Sequence, residues 1–188
     1  MPHLATYVAL ADHSEQTLAD SLRAVAEGHA RQADIFHTCH TLAGWSDQHR
    51  EALAPVVERY GEQEDIDEPE RLRAESLSST REGEIGLLRD LQDLHLLATL
   101  VQSTWIVVAQ GAQGLRDPQL LEVATTSTET SRQLTWLNTR MKQAAPQALI
   151  VDPSPLEPGH PLARLSSASR ASAEGKISPG GFTRPAPT

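Results

Sequence analysis

The sequence predicts an all-α protein: an antiparallel four-helix bundle over residues 1–151, followed by a disordered tail over residues 152–188. Apolar residues recur at helical spacing through most of the first segment. The apolar 39% of the chain is mostly Leu, Ala and Val, and only 4% of the chain is aromatic, a composition that favours helices over strands. Seven of the twelve prolines lie in the last 37 residues, which contain too few large apolar side chains to offset the entropy of ordering.

The first two predicted helices are defined by their apolar rows. The first helix carries Leu4, Ala11, Leu18 and Val25 in one row and Val8 and Leu22 in the next; the second carries Ile35, Leu42, His49 and Val56 beside Cys39, Ser46, Leu53 and Tyr60. Gly28 is a typical stop and Asp34 a typical start, so we predict a tight turn between them. An unbroken helix also satisfies the pattern, but its length of about 90 Å is unusual for a globular domain.

Residues 62–82 break the helical pattern and predict a long acidic connection. The third helix follows, with Leu87, Leu94, Val101 and Val108 in one row and Leu91, Ala98, Trp105 and Ala112 in the next. The fourth helix is predicted to begin at Pro118, with Asp117 as its N-cap, and to end near Ala144. The connection can extend to about 70 Å, so helices two and three can run in the same or in opposite directions, and both topologies stay open.

Charge and hydropathy exclude several classes of function. A net charge of −9 repels phosphate backbones and anionic lipid surfaces, so we expect neither nucleic acid nor a membrane as a partner. The longest apolar stretch, Leu94 to Ala109, is shorter than the roughly 20 residues that span a bilayer. Cys39 is the only cysteine, and the N-terminus lacks the pattern of a secretory signal, so we predict a cytoplasmic protein.

Polar residues on apolar rows are the candidate site residues, because burying them is costly unless they find partners. Glu15 lies in the row between Val8 and Leu22, and His49 lies in the row between Leu42 and Val56. His95 lies in a row with Leu88 and Gln102 on the third helix, and Glu51 follows His49 by two residues and so faces another side of the second helix. If Glu15, His49 and His95 lie at a similar depth in the bundle, they can share a metal ion or a hydrogen-bond network.

Given these candidate site residues and the predicted helices, the chain resembles the ferritin-like superfamily in architecture over residues 4–145. Such bundles carry a glutamate on the first helix and a Glu-x-x-His motif on the second, and then repeat the arrangement after a crossover. In this sequence, Glu15 corresponds to the first ligand and His49 falls near the second. Ser46 stands where the motif has its glutamate, and the fourth helix contains no histidine. The resemblance therefore implies an architecture, with iron, manganese or zinc as the metals that the family would bind.

No nucleophile motif, P-loop or dinucleotide-binding motif occurs in the sequence, so no reaction is indicated. The interpretation that follows is a non-enzymatic helical-bundle protein without a cofactor, which acts through a protein partner or through self-association. The alternative is a ferritin-like metal-binding or oxidoreductase protein that uses Glu15 and His49, with His95 and Glu51 as further candidate ligands.

Overall fold

A computed structural model describes residues 2–60, 75–126 and 129–150. These residues form α1 (Pro2–Gly28), α2 (Ala33–Tyr60), α3 (Gly83–Leu115), α4 (Pro118–Thr126) and α5 (Glu129–Ile150), and they contain no strand. The all-α prediction is confirmed. Residues Met1–Val151 form one compact unit. Most of the predicted acidic connection and the whole predicted tail, residues 152–188, lie outside the described residues.

The turn between α1 and α2 lies where the sequence predicts it. α1 ends at Gly28 and α2 begins at Ala33, so the alternative of one unbroken helix is wrong. Contacts between the two helices pair Asp12 with Arg50 and Glu27 with His40. Residue numbers rise along α1 as they fall along α2, and the two helices therefore form an antiparallel hairpin.

The direction of α3 follows from its contacts with α1. Glu15 pairs with Trp105, whereas His29, just after α1, pairs with Asp90 near the start of α3. α1 and α3 therefore also run in opposite directions, and α2 and α3 run in the same direction. Of the two topologies that the sequence leaves open, the structure has the one with a single long crossover between its second and third helices.

The predicted fourth helix corresponds to α4 and α5, and residues 127 and 128, which lie between them in the sequence, are outside the described residues. Near the end of α4, the Thr125 hydroxyl donates to the carbonyls of Leu121 and Glu122, both at 2.9 Å. α5 continues to Ile150, beyond the predicted end near Ala144.

The core is built from the apolar rows that the sequence predicts. α1 packs against α2 and α3, and α3 also packs against α4 and α5. Both rows of α3 are buried, including Trp105, which is 3% exposed. Within the described residues, α3 is the one helix long and apolar enough to cross a membrane, and 39% of its most apolar 18-residue window is buried inside the protein. Core helices of soluble proteins share this property, so it is weak support for a membrane span.

Asp117 fixes the start of α4, as predicted. Its Oδ1 accepts a hydrogen bond from the backbone N–H of Leu120 (3.1 Å), and its Oδ2 accepts bonds from the Tyr60 hydroxyl (2.9 Å) and from Arg59 Nη2 (2.5 Å). Partial burial raises the pKa of Asp117, but these hydrogen bonds and the Arg59 charge outweigh it and hold the pKa below its usual value. One carboxylate thus links the end of α2 to the start of α4.

We expect Asp117→Ala to lower the free energy of unfolding by about 1–2 kcal/mol, because it removes the cap and the contact with α2. Asp117→Asn keeps a capping oxygen and should cost less. Since the folded-state pKa of Asp117 is lowered, the advantage of Asp over Asn is present near neutral pH and disappears as the pH falls through that pKa. Urea unfolding of the three proteins at neutral and acidic pH measures both effects. Equal stability of the parent and the Ala variant at neutral pH would contradict the capping role.

Candidate functional site

A carboxylate lies in the middle of the apolar core. The side chain of Glu15 on α1 is 0% exposed, and its Oε1 accepts hydrogen bonds from His49 Nδ1 on α2 and Trp105 Nε1 on α3, each at 2.8 Å. The rings of His49 and Trp105 meet edge to face, with centroids 6.3 Å apart. We call these three residues the buried centre.

The buried centre forms because each of its residues continues an apolar row. Glu15 is one heptad from Val8 and from Leu22, so the packing that buries those residues also buries the carboxylate. His49 and Trp105 occupy equivalent positions on their helices. The predicted burial of Glu15, His49 and Trp105 is confirmed.

The two carboxylate oxygens of Glu15 differ in the hydrogen bonds that they accept. Two N–H donors on Oε1 compensate part of the cost of removing the charge from water. Oε2 is also buried, and no described residue donates a hydrogen bond to it. A buried acceptor without a donor costs free energy, so Oε2 is the atom of this centre best suited to bind a cation or a hydrogen-bond donor.

α5 adds further polar groups at the same level of the bundle. Gln133 is fully buried, and its Nε2 donates to the Leu42 carbonyl (2.9 Å) and to Ser46 Oγ (3.1 Å) on α2. Thr130 lies one turn before Gln133 and is 1% exposed, and within the described chain its hydroxyl has no hydrogen-bond partner. Arg140 pairs with Asp34 at the start of α2, whereas Gln133 contacts Ser46 further along it, so α2 and α5 run in opposite directions and Thr130 lies on the His49 side of Gln133. We call the buried centre together with Ser46, Thr130 and Gln133 the polar layer.

The structure brings two of the four predicted site residues together. Glu15 and His49 are hydrogen-bonded, as described above. His95 lies partly exposed on α3, where its backbone carbonyl accepts a bond from Thr99 (2.8 Å). Glu51 is exposed on α2 and lines a surface groove of about 910 Å³ with Arg50. Neither His95 nor Glu51 makes a described contact with Glu15 or His49.

The potential metal ligands are few. The side chains that the structure describes, in residues 3–60, 75–125 and 130–150, contain no group of three or more His, Cys, Asp or Glu placed to hold a metal ion. The carboxylate set of a di-iron bundle is therefore not assembled by the described side chains. Cys39 is buried, and burial together with the charge of Asp34 raises the pKa of its thiol to about 12, so it is inert packing near neutral pH.

Sequence reasoning missed a second buried carboxylate, Asp90, which is 0% exposed. It accepts hydrogen bonds from His29 in the α1–α2 turn and from Arg81 just before α3. The available signal was its position, three residues after Leu87 and four before Leu94, on the buried face of the third helix.

One side of α3 exposes two large apolar side chains. Leu96 is 69% exposed and Val107 is 45% exposed, and a spacing of 11 residues places both on the same face of the helix. Beside them, a groove of about 660 Å³ runs between α3 and the preceding segment, with Leu96, Leu97 and Leu100 among its lining residues. Exposed apolar surface of this kind is typical of association sites.

Comparison with known proteins assigns no function to the buried centre or to the exposed side of α3. No family model matches the chain, and neither the curated proteins nor the solved structures include a significant match.

We expect Glu15→Gln to lower the free energy of unfolding by about 1–2 kcal/mol, because hydrogen bonds to a charged acceptor are stronger than bonds to a neutral one. In a His49→Ala background the same substitution should cost less, since one donor is gone. Chemical unfolding of the four proteins gives the coupling free energy. A coupling below about 0.5 kcal/mol would show that the two residues act independently. Glu51→Gln makes the same change on the exposed face of α2 and should leave stability unchanged.

Proposed function

We propose that this protein is a non-enzymatic helical-bundle protein that holds one divalent cation at Glu15, inside the polar layer. The observation that supports this proposal is the state of the Glu15 carboxylate. It is fully buried, it receives two donors on Oε1, and the described part of the chain offers no donor to Oε2. A buried charge is stable when it is paired or when it coordinates a metal ion, and a cation at Oε2 would complete the pairing.

His49 and Trp105 act in this proposal as positioning residues. Their N–H groups hold Oε1, so the carboxylate cannot rotate without breaking two hydrogen bonds of 2.8 Å. Hydrogen bonds from neighbouring side chains orient carboxylate ligands in this way in many metal sites. The fixed carboxylate would direct Oε2 toward one place in the polar layer.

Further ligands are needed, because one carboxylate oxygen does not hold a divalent cation in a protein core. Two other oxygens of the polar layer, Thr130 Oγ1 and Gln133 Oε1, are buried, and the described part of the chain offers neither of them a hydrogen-bond partner. We propose these two oxygens and water as the remaining ligands. Iron, manganese and zinc are the metals that carboxylate oxygens with a neighbouring imidazole suit, and they are also those implied by the ferritin-like resemblance.

Metal analysis of protein purified without an affinity tag tests this proposal. After reconstitution with iron, manganese or zinc and gel filtration, we expect close to one metal ion per chain in the parent, and a large loss in Glu15→Gln. Glu51→Gln is the matched control, because it removes an exposed carboxylate from α2, and it should retain the metal. A folded parent that retains none of the three metals, or a Glu15→Gln variant that retains as much as the parent, would rule out the site.

A second candidate function is association through the exposed apolar face of α3. The specific observation in its favour is the exposure of Leu96 and Val107 on one face, beside a groove whose lining includes Leu96, Leu97 and Leu100. Burying such side chains between two molecules is favourable by about 25 cal/mol per Å² of apolar surface. Either a second copy of this chain or another protein with an apolar surface could supply the covering side chains.

Analytical ultracentrifugation over a range of concentrations tests the self-association arm of this candidate. We expect the parent to form dimers and Leu96→Gln to weaken dimerisation at least tenfold, because a polar side chain would be buried in the contact. Leu149→Gln removes an equally exposed leucine from α5 (69% exposed, as is Leu96) and should dimerise like the parent. A parent that remains monomeric at all concentrations would eliminate self-association through this face.

A further inference from the structure

The segment that precedes α3 is held closely against the helices. We call residues 75–82 the strap; they contain no helix and end where α3 begins. The backbone N–H of Leu77 donates to Ser21 Oγ on α1 (3.2 Å), and the Leu77 side chain packs against the core. The strap therefore contacts α1 as well as α3.

Two glycines allow the strap to approach this closely. A Cβ atom on Gly28, the last residue of α1, would lie 2.2 Å from Thr80 Oγ1. A Cβ atom on Gly86, in the first turn of α3, would lie 2.5 Å from the backbone carbonyl of Arg81. Real Cβ atoms essentially never come this close to another atom. Thr80 and Arg81 therefore occupy space that is open only because residues 28 and 86 are glycines.

Asp90 holds the strap in place through hydrogen bonds. Its Oδ2 accepts hydrogen bonds from the Arg81 backbone N–H (2.9 Å) and from His29 Nε2 (2.8 Å), and its Oδ1 accepts one from Arg81 Nη1 (2.8 Å). Arg81 Nη1 also donates to Asp93 Oδ2 (2.8 Å), and the bonds to Asp93 and Asp90 raise the pKa of the guanidinium. Every group that Asp90 contacts is a donor, so only a carboxylate satisfies all of them. One buried side chain thus joins the strap, the α1–α2 turn and α3.

The strap forms one wall of the groove beside α3. Residues 75–79 and Arg81 line this wall, and the other wall consists of Leu96, Leu97 and Leu100 together with Asp93, Thr99 and Ser103. Leu97 is only 9% exposed, whereas Leu96, beyond the strap, is 69% exposed. Displacement of the strap would therefore extend the exposed apolar face of α3 toward Leu97.

We propose that the strap is a latch over the apolar side of α3 and that Asp90 is the residue that keeps it closed. Among the described contacts, opening breaks the hydrogen bonds of the strap to Asp90, Asp93 and Ser21, the Leu77 contact and the packing of Thr80 against Gly28, whereas the helical cores remain packed. Such local opening costs less than global unfolding, and the latch sets how much apolar surface α3 presents. This proposal depends neither on a metal at Glu15 nor on self-association.

Amide hydrogen exchange resolved by residue tests the latch, because the N–H groups of Leu77 and Arg81 are held by Ser21 and Asp90. In Asp90→Asn the amide group presents its NH₂ to surrounding donors, so we expect exchange at both positions to accelerate at least tenfold, with amides in α2 unchanged. Binding of an apolar fluorescent dye should rise in the same variant. Asp93→Asn is the control, since it leaves the strap backbone bonded to Asp90, and it should exchange like the parent.

Gly86→Ala provides a second test that alters no charge and favours the helix. The added methyl group displaces Arg81, so amide exchange at Leu77 and Arg81 should again accelerate selectively. Gly44→Ala is the control, because it adds the same methyl group to α2 in open space, and it should not change these exchange rates. The proposal is overturned if both Asp90→Asn and Gly86→Ala exchange like the parent at these positions. It is also overturned if strap and α2 amides accelerate by the same factor, because the strap then opens only when the whole protein unfolds.

Discussion

The alignment of α1, α2 and α3 depends on the two donors that meet at Glu15 Oε1. Apolar rows alone tolerate a shift of one helical turn, because leucine and alanine recur every three or four residues. A carboxylate in the core does not tolerate it, since a shift of one turn would move His49 and Trp105 away from the charge. A single polar group can in this way select one register among several of similar apolar burial.

Asp90 joins α3 to His29, the residue that follows the C-terminal end of α1. Its partner His29 lies 14 residues after Glu15, a distance of about 21 Å along a helix. α1 and α3 are therefore joined by buried ionisable groups at two separated levels, with apolar rows between them. Two such points fix both the sliding and the relative tilt of the helices, which apolar contacts control less strictly.

The helices and the burial of Glu15 and His49 could be predicted because both follow from local spacing. The direction of α3 could not, since a connection of this length permits either topology. Asp90 was missed because its partners, His29 and Arg81, belong to a turn and a strap that periodicity does not describe. Glu51 lies about 200° around α2 from His49, so proximity in sequence does not bring it to the buried centre.

The two hydrogen bonds at Glu15 differ in sequence separation, and this has a consequence for the order in which the helices associate. The contact of Glu15 with His49 spans 34 residues and belongs to the α1–α2 hairpin, whereas its contact with Trp105 spans 90 residues. Closing the longer loop carries the larger entropic cost. The hairpin can therefore form first with a carboxylate that has only one of its two donors. Docking of α3 then supplies the second donor, Trp105 Nε1, to a carboxylate that His49 alone compensates only in part.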